Sequence, residues 1–253
     1  MIKQQDAYEY LCSLEKESVD LILTDPPYEI SRPSGFIDSL TKPDGSPQSK
    51  RTLRRFGISL DFGEWDKNQL NLLPYIEEMH RVLKPSGTLI IFYDLWKITP
   101  LKNMMEASNF KQIRFIEWVK TNPVPINSKI NYLTNSREIA LTAVKKSKPT
   151  FNSKYDNGIY RYPIYHGKDR FHPTQKSLKL FEELIEKHSN EGDVVLDCFL
   201  GSGTTAIAAL NTEREFIGCE IDNGYYNKMI ERLEKYKNER EKKQDPIRRA
   251  ACP

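Results

Sequence analysis

The stretch "DVVLDCFLGSGTTAIAAL" (193–210) decides the fold. It opens with a short, partly β-branched apolar run, turns on Gly201 and Gly203, and continues with small residues suited to a helix. That order is strand, glycine turn, helix. A strand this uniformly apolar is buried on both faces, as in a parallel sheet. Glycines permit the tight turn and let a ligand approach the backbone closely, and the helix behind them points unpaired N–H groups at whatever is bound.

A GxG turn alone also serves ordinary strand–helix connections, so its neighbours matter. No Lys stands where GxxxxGK[ST] needs one, which disfavours a phosphate-cradling nucleotide loop. "EFIGCEID" (215–222) reads as the next strand, and Glu220 falls about 20 residues after Gly201, a spacing at which an acid can accept both ribose hydroxyls of a nucleoside. Asp197, just before the turn, suits a charged amino group. Together these fit S-adenosylmethionine, a nucleoside carrying an amino acid and a sulfonium. The plainer alternative makes Glu220 a surface acid and Asp197 a helix cap.

Outward from this unit, strands alternate with helices. Asp6 caps a short helix carrying Ala7, Tyr10, Leu11 and Leu14 on one side. "SVDLILT" (18–24) is a buried strand ended by Pro26. Leu70, Leu73, Ile76, Met79 and Leu83 are spaced for a helix that begins or bends at Pro74 and is closed by "KPSG". "TLIIFY" (88–93), "IRFIEWV" (113–119) and "REIALTAV" (137–144) read as strands, with a helix around 100–108 between the first two. "SLKLFEELIEKH" (177–188) is an amphipathic helix, and Tyr225 to Tyr236 form the last one. The alternation implies a mainly parallel α/β sheet covered on both faces. Residues 29–64 and 146–171 are long, irregular and turn-rich. The tail 238–253 is charged, then broken by Pro246, and is expected to fray.

Composition narrows the function classes. Hydrophobic residues are 38% and charged residues 29% of 253, enough core to exclude wholesale disorder. A net charge of +3 says little about partners, but "KRTLRR" (50–55) is locally basic. Cys12, Cys198, Cys219 and Cys252 form no CxxC pair and no zinc-type cluster, so no metal is expected and the thiols read as reduced and cytosolic. The start lacks a signal-peptide pattern, and no apolar run nears about 18 residues. A cytoplasmic protein with no membrane segment is the expectation.

The segment that ordinary folding explains least is "DPPYEI" (25–30). Two prolines end the strand and crowd a carboxylate against an aromatic ring. "DPPY" followed much later by "DCFLGSGTT" resembles the amino-group DNA methyltransferases, in the motif order of their β subclass. "FGEWDK" (62–67), "LKPSGTLIIF", "WVKTNPVP" (118–125) and "HPTQKSLKL" (172–180) are similar to family blocks in family order, so the resemblance runs from Asp6 to about Leu233. Cys198 departs from the proline common at that place.

The resemblance implies a Rossmann-like methyltransferase fold in a single catalytic domain, 1–253. Its sheet would have seven strands, one of them antiparallel, with a circularly permuted motif order. It implies that Asp197, Phe199, Gly201, Ser202, Gly203, Thr204 and Thr205 surround the methionine part of S-adenosylmethionine, with Glu220 on the ribose. Asp6 and Ala7 would lie near the adenine, and His172, Thr174 and Gln175 near the methionine end, beside Asp25.

The implied activity is methyl transfer to the N6 amino group of adenine in double-stranded DNA. "DPPY" rather than "SPPY" favours adenine over cytosine N4. An RNA or protein amino group and a silent DNA-binding module are the more distant alternatives. Asp25 and the Pro26 carbonyl would accept from the amino group, and Pro26 and Pro27 would hold these acceptors still. Tyr28 would stack on the extruded base. Lys50, Arg51, Arg54 and Arg55 in the 29–64 loop, with Lys154, Arg161, Lys168 and Arg170 in a target-recognition segment 146–171, would meet the DNA. The same resemblance leaves a monomer or homodimer, and a cognate restriction enzyme, as partners.

Overall fold

The structure is a computed structural model and describes residues 1–27, 70–124, 133–146, 148–167, 170–172 and 175–244. Met1–Pro26 with Leu72–Pro253 make one compact unit, and Pro27–Asn71 make a second. Most of the second, including the basic run 50–55, lies outside the described residues.

The first unit is built on an eight-stranded sheet in the order β1-β8-β7-β2-β3-β5-β4-β6. The strands are β1 (Ile2–Gln4), β2 (Val19–Thr24), β3 (Leu83–Tyr93), β4 (Lys111–Lys120), β5 (Arg137–Val144), β6 (Ile159–Tyr162), β7 (Val194–Asp197) and β8 (Glu215–Glu220). Only β5 runs antiparallel, between β3 and β4. Helices α1 (Ala7–Ser13), α2 (Leu73–Val82), α3 (Ile98–Ala107), α4 (Leu178–His188), α5 (Thr204–Asn211) and α6 (Asn223–Gln244), with a short 3-10 turn at Leu95–Lys97, complete the described elements.

Burial explains the strand pattern. Leu21, Ile22 and Leu23 are all fully buried, so β2 has an occupied layer on each face. On one side Leu21 and Leu23 join Ile90, Phe92, Ile116 and Trp118 beneath Leu180, Phe181, Leu184 and Ile185 of α4. Phe92 and Phe181 stack with ring centroids 5.6 Å apart. Asp6 caps α1 as its sequence suggests, Oδ1 accepting from Tyr8 N and Glu9 N at 2.9 and 3.2 Å.

Four features depart from the sequence expectation. The sheet has eight strands rather than seven, because the short β1 pairs with β8 and because "IYRY" inside the 146–171 segment becomes β6 against β4. "KPSG" does not separate helix from strand; extended backbone follows α2 directly from Leu83. Val19 pairs with Leu83 and Leu21 with Thr88, so the extra residues of this stretch form a bulge. The last helix continues past Tyr236 to Gln244, because the residues there are good helix formers with no proline and the Arg240 guanidinium donates to the Leu210 carbonyl. Only 245–253 of the expected frayed tail lie outside the described residues.

Candidate active site

Parallel strands deliver their C-terminal ends to one edge of the sheet, where α/β proteins bind ligands. Here β2 and β7 are neighbours, with Leu21 opposite Val195 and Ile22 opposite Leu196. The two sequence motifs, far apart in the chain, therefore end side by side. Thr24 Oγ1 donates to Asp197 Oδ1 at 2.6 Å, joining the residue before Asp25 to the residue before the glycine turn.

Asp197 is almost wholly committed to this junction. Oδ1 also accepts from Phe199 N at 3.0 Å, and Oδ2 accepts from Thr205 Oγ1 at 2.6 Å. Burial raises its pKa, against these three donors. Its place is that of a brace between β2, β7 and α5 more than an open acceptor for an amino group.

In the turn, Gly201 has φ +48° and Gly203 φ +74°, the left-handed region. A Cβ on Gly203 would meet Met229 Cγ at 2.5 Å, and one on Gly201 would meet the His172 ring at 3.1 Å. Ser202 and Thr204 share a hydroxyl–hydroxyl bond of 3.0 Å, and Arg232 of α6 donates to the Ser202 carbonyl at 2.7 Å. The hydroxyls of this stretch thus shape the loop. Glu220 spans it: Gly201 N donates to one carboxylate oxygen at 2.8 Å and Asp222 N to the other at 2.9 Å. Burial raises its pKa, and each oxygen keeps acceptor capacity.

Asp6 and Ala7 follow β1, which lies beside β8, and Gln5 N donates to the Glu220 carbonyl at 3.1 Å. A row of rings runs alongside, Tyr8 to Tyr75 at 5.6 Å and Tyr75 to Phe199 at 5.9 Å. His172 packs on Tyr225 with centroids 4.5 Å apart, and its pKa is pushed down to about 4 by burial, with Lys176 and Arg170 adding. Gln175 is 3% exposed, yet among the described residues neither its amide oxygen nor its nitrogen has a hydrogen-bond partner. A buried amide of this kind has the capacity to bond a ligand.

Asp25 sits at the centre of the edge. Lys176 Nζ lies 2.6 Å from its Oδ2, while Oδ1 is buried with no hydrogen-bond partner among the described residues. Its pKa is pushed up to about 6 by burial, against the Lys176 ammonium and helped by Glu138 and Asp197. Lys176 also lies 2.9 Å from Glu138 Oε2, and Lys120 lies 2.7 Å from Glu138 Oε1.

The expected nucleic-acid residues divide. Arg161 is exposed on β6, and Arg170 is exposed with Nε donating to the His172 carbonyl at 3.3 Å. Lys154 belongs elsewhere. Its neighbour Asn152 is bonded to Lys187, Glu186 and Ser189 at the C-terminal end of α4, at the sheet edge opposite Asp25. In the same segment Tyr160 is core and Tyr162 donates to Glu183 at 2.5 Å. Tyr28, Lys50, Arg51, Arg54, Arg55, Lys168 and Thr174 lie outside the described residues.

A protein-family model described as a DNA methylase matches residues 19–232. The chain belongs to this DNA methylase family. It is 32% identical to the Type II methyltransferase M2.DpnII of Streptococcus pneumoniae, over 92% of this chain and 89% of that one. It is likewise 32% identical to M2.MboI of Moraxella bovis, over 87% and 82%. Among solved structures, the M1.HpyAVI–SAM complex superposes with a TM-score of 0.65 at 32% identity, covering 92% of this chain and 98% of that one. The cytosine-N4-specific PvuII DNA methyltransferase shares the fold, with a TM-score of 0.67 at 18% identity over 90% of this chain and 84% of that one.

For this methylase, sequence reasoning found the two motifs but missed Thr24, Tyr75, Lys120, Glu138 and Lys176. Lys176 stands inside the quoted block "HPTQKSLKL" without a role assigned to it, and a lysine just ahead of an otherwise apolar helix face was the available signal. Among the described residues, no group of three His, Cys, Asp or Glu is placed to hold a metal ion, and no helix is long and apolar enough to cross a membrane.

Proposed function

We propose that the chain transfers a methyl group from S-adenosylmethionine to the N6 amino group of adenine in double-stranded DNA, at a specific sequence. The observation that carries this is the placement of Asp25, one carboxylate oxygen free, beside the glycine turn and the buried Glu220 on a single sheet edge.

The residues present fit the cofactor. Glu220 has acceptor capacity left for ribose hydroxyls, the Tyr8–Tyr75–Phe199 row next to Asp6 and Ala7 offers a flat wall for a purine, and the orphaned Gln175 amide awaits polar partners. Gly201 and Gly203, having no side chain, let the methionine part approach the turn, with Ser202, Thr204 and Thr205 around it. When bound, the cofactor supplies an electrophilic methyl on a sulfonium.

The chain's own work is on the nucleophile. An exocyclic amino group has its lone pair delocalised into the ring and attacks poorly. Asp25 Oδ1 and the Pro26 carbonyl, accepting its two N–H bonds, return electron density to the nitrogen. The locked φ of Pro26, with the restriction that Pro27 places on the ψ of the residue before it, holds the Pro26 carbonyl still, so the acceptors need no reorganisation as positive charge develops. The proton is lost after transfer, and Asp25, with a pKa of about 6, is basic enough to take it. His172, uncharged above about pH 4, adds no positive charge beside a cationic cofactor.

The base must leave the duplex, which costs a few kcal/mol. Tyr28, by its place in the motif, supplies a stacking face worth about 1–3 kcal/mol. Arg161, Arg170 and the basic residues 50–55 meet phosphates. The relatives are Type II methyltransferases, and by that likeness the chain protects cytoplasmic DNA from a cognate restriction enzyme. Modification-sensitive long-read sequencing of DNA from a methylation-free host expressing the chain tests this. N6-methyladenine at one recurring site is expected; N4-methylcytosine there would reject the adenine assignment, and unmodified DNA would reject the activity.

A further inference from the structure

We propose that Lys176 is a positioning residue that holds the Asp25 carboxylate by one oxygen and, balanced by Glu138 and Lys120, sets how basic the other oxygen is. This rests on the reading above that Asp25 accepts from the target amino group.

The geometry is a chain of four charges on four different segments. Lys120 ends β4, Glu138 lies at the start of β5, Lys176 directly precedes α4, and Asp25 follows β2. The contacts are 2.7, 2.9 and 2.6 Å in turn. The side chains are largely buried, Lys176 at 5% exposure and Asp25 at 17%. The Phe92 ring, 5.5 Å from the Lys176 ammonium, walls it in. Two carboxylates and two ammoniums leave the group neutral when all are ionised.

Each link has a definite consequence. Lys176 holds Asp25 Oδ2, which leaves Oδ1, without a hydrogen-bond partner among the described residues, as the oxygen to accept from a base. Burial pushes Asp25 toward its neutral form, and Lys176 opposes that. Glu138 shares the same ammonium, so Lys176 does not neutralise Asp25 completely. Burial would raise Glu138 as well, but Lys176 and Lys120 outweigh it and hold its pKa below the ordinary value. Asp25 therefore carries the proton affinity of the pair while Glu138 stays charged. An acceptor poised just below the working pH combines full ionisation with the greatest basicity still available at that pH.

The other charged groups at this edge have consistent roles. Asp197, at the end of β7, pushes Asp25 upward. Lys120 acts through Glu138, and His172 is neutral above about pH 4.

The network makes signed predictions that a simple structural clamp would not. Without Lys176, Asp25 and Glu138 repel with no cation between them, and the Asp25 pKa rises. With Glu138 neutralised, its charge no longer competes for Lys176 or repels Asp25, and the Asp25 pKa falls. The working form of Asp25 is ionised, so the rate is lost as pH drops through its pKa.

The experiment measures single-turnover methyl transfer to duplex DNA from pH 5 to 9 for the wild type and for Lys176→Met, Lys176→Arg and Glu138→Gln. Cofactor affinity is followed by calorimetry. The Asp25 carboxyl is titrated by 13C NMR in the protein alone, its signal assigned with Asp25→Asn. A wild-type midpoint near 6 is expected. Lys176→Met should move it up by about one unit or more, cutting the rate near pH 6 about fivefold, with recovery at pH 9 and unchanged cofactor affinity. Lys176→Arg should restore most of the wild-type midpoint, and Glu138→Gln should move it down. A Lys176→Met enzyme slowed equally at every pH, or a Glu138→Gln midpoint that rises, overturns the proposal. If the NMR midpoints shift as expected while no variant, wild type included, methylates any DNA, the tuning stands and the assigned task of Asp25 falls. If methylation is normal and the midpoints do not move, the tuning alone falls.

Discussion

The two halves of the sheet's C-terminal edge are built on different principles. On the β7–β8 side the site is local: a glycine turn, the acid of the next strand and hydroxyls within a few residues of one another, bonded largely through backbone N–H groups. On the β2–β3–β5–β4 side it is long-range, four charged side chains from four segments meeting around Asp25. The first half binds by shape and tolerates no added atom at its glycines. The second half acts by charge, and its geometry exists only once the sheet has formed. Substitutions in the first should therefore damage cofactor affinity, and substitutions in the second should damage the rate.

The sharpest test of that division is Asp25→Ala. Transfer should fall by about 10²–10⁴-fold, with cofactor affinity within about twofold of wild type by calorimetry. A parallel loss of cofactor binding would merge the halves. The counterpart is Glu220→Ala, which removes the proposed ribose acceptor and the bonds to Gly201 and Asp222. Cofactor affinity should weaken about 10–100-fold, as for hydrogen bonds to a charged group, and the rate at saturating cofactor should change less.

Gly203→Ala is smaller but cleaner in cause. A methyl at φ +74° costs about 1–2 kcal/mol of backbone strain, and its Cβ meets Met229 Cγ at 2.5 Å. A lower melting temperature and weaker cofactor binding are expected. A neutral result would mean that α6 moves away from the turn freely.

The smallest effects concern DNA. Arg161→Ala should raise the DNA KM a few-fold and reduce the salt slope by about one phosphate contact. Lys154→Ala, at the opposite sheet edge, should change neither. Equal effects from the two would remove the distinction drawn between the edges.

This division also governs what the sequence discloses. The Asp6 cap, the β2 run ending in proline, the glycine turn and Glu220 are legible because each depends on residues near in sequence. β1 is hidden by its length of three residues, too short for any periodicity, and gains its place only from β8. β6 is hidden inside a turn-rich segment, although its Tyr160 packs with Trp118 in the core. Glu138 and Lys120 look like ordinary strand-end charges. Nothing along the chain announces that Lys176 will stand between Asp25 and Glu138, because that meeting is a product of strand order. Asp197 shows the same limit from the other direction: its position is readable, its commitment to Thr24 and Thr205 is not.

The most direct measurement of the central claim is labelled S-adenosylmethionine incubated with duplex DNA and the protein, followed by digestion and nucleoside analysis, with Asp25→Ala alongside. Label in N6-methyl-2′-deoxyadenosine that disappears with Asp25→Ala is the expected result. Label only in N4-methylcytosine, or none in any DNA, would contradict it.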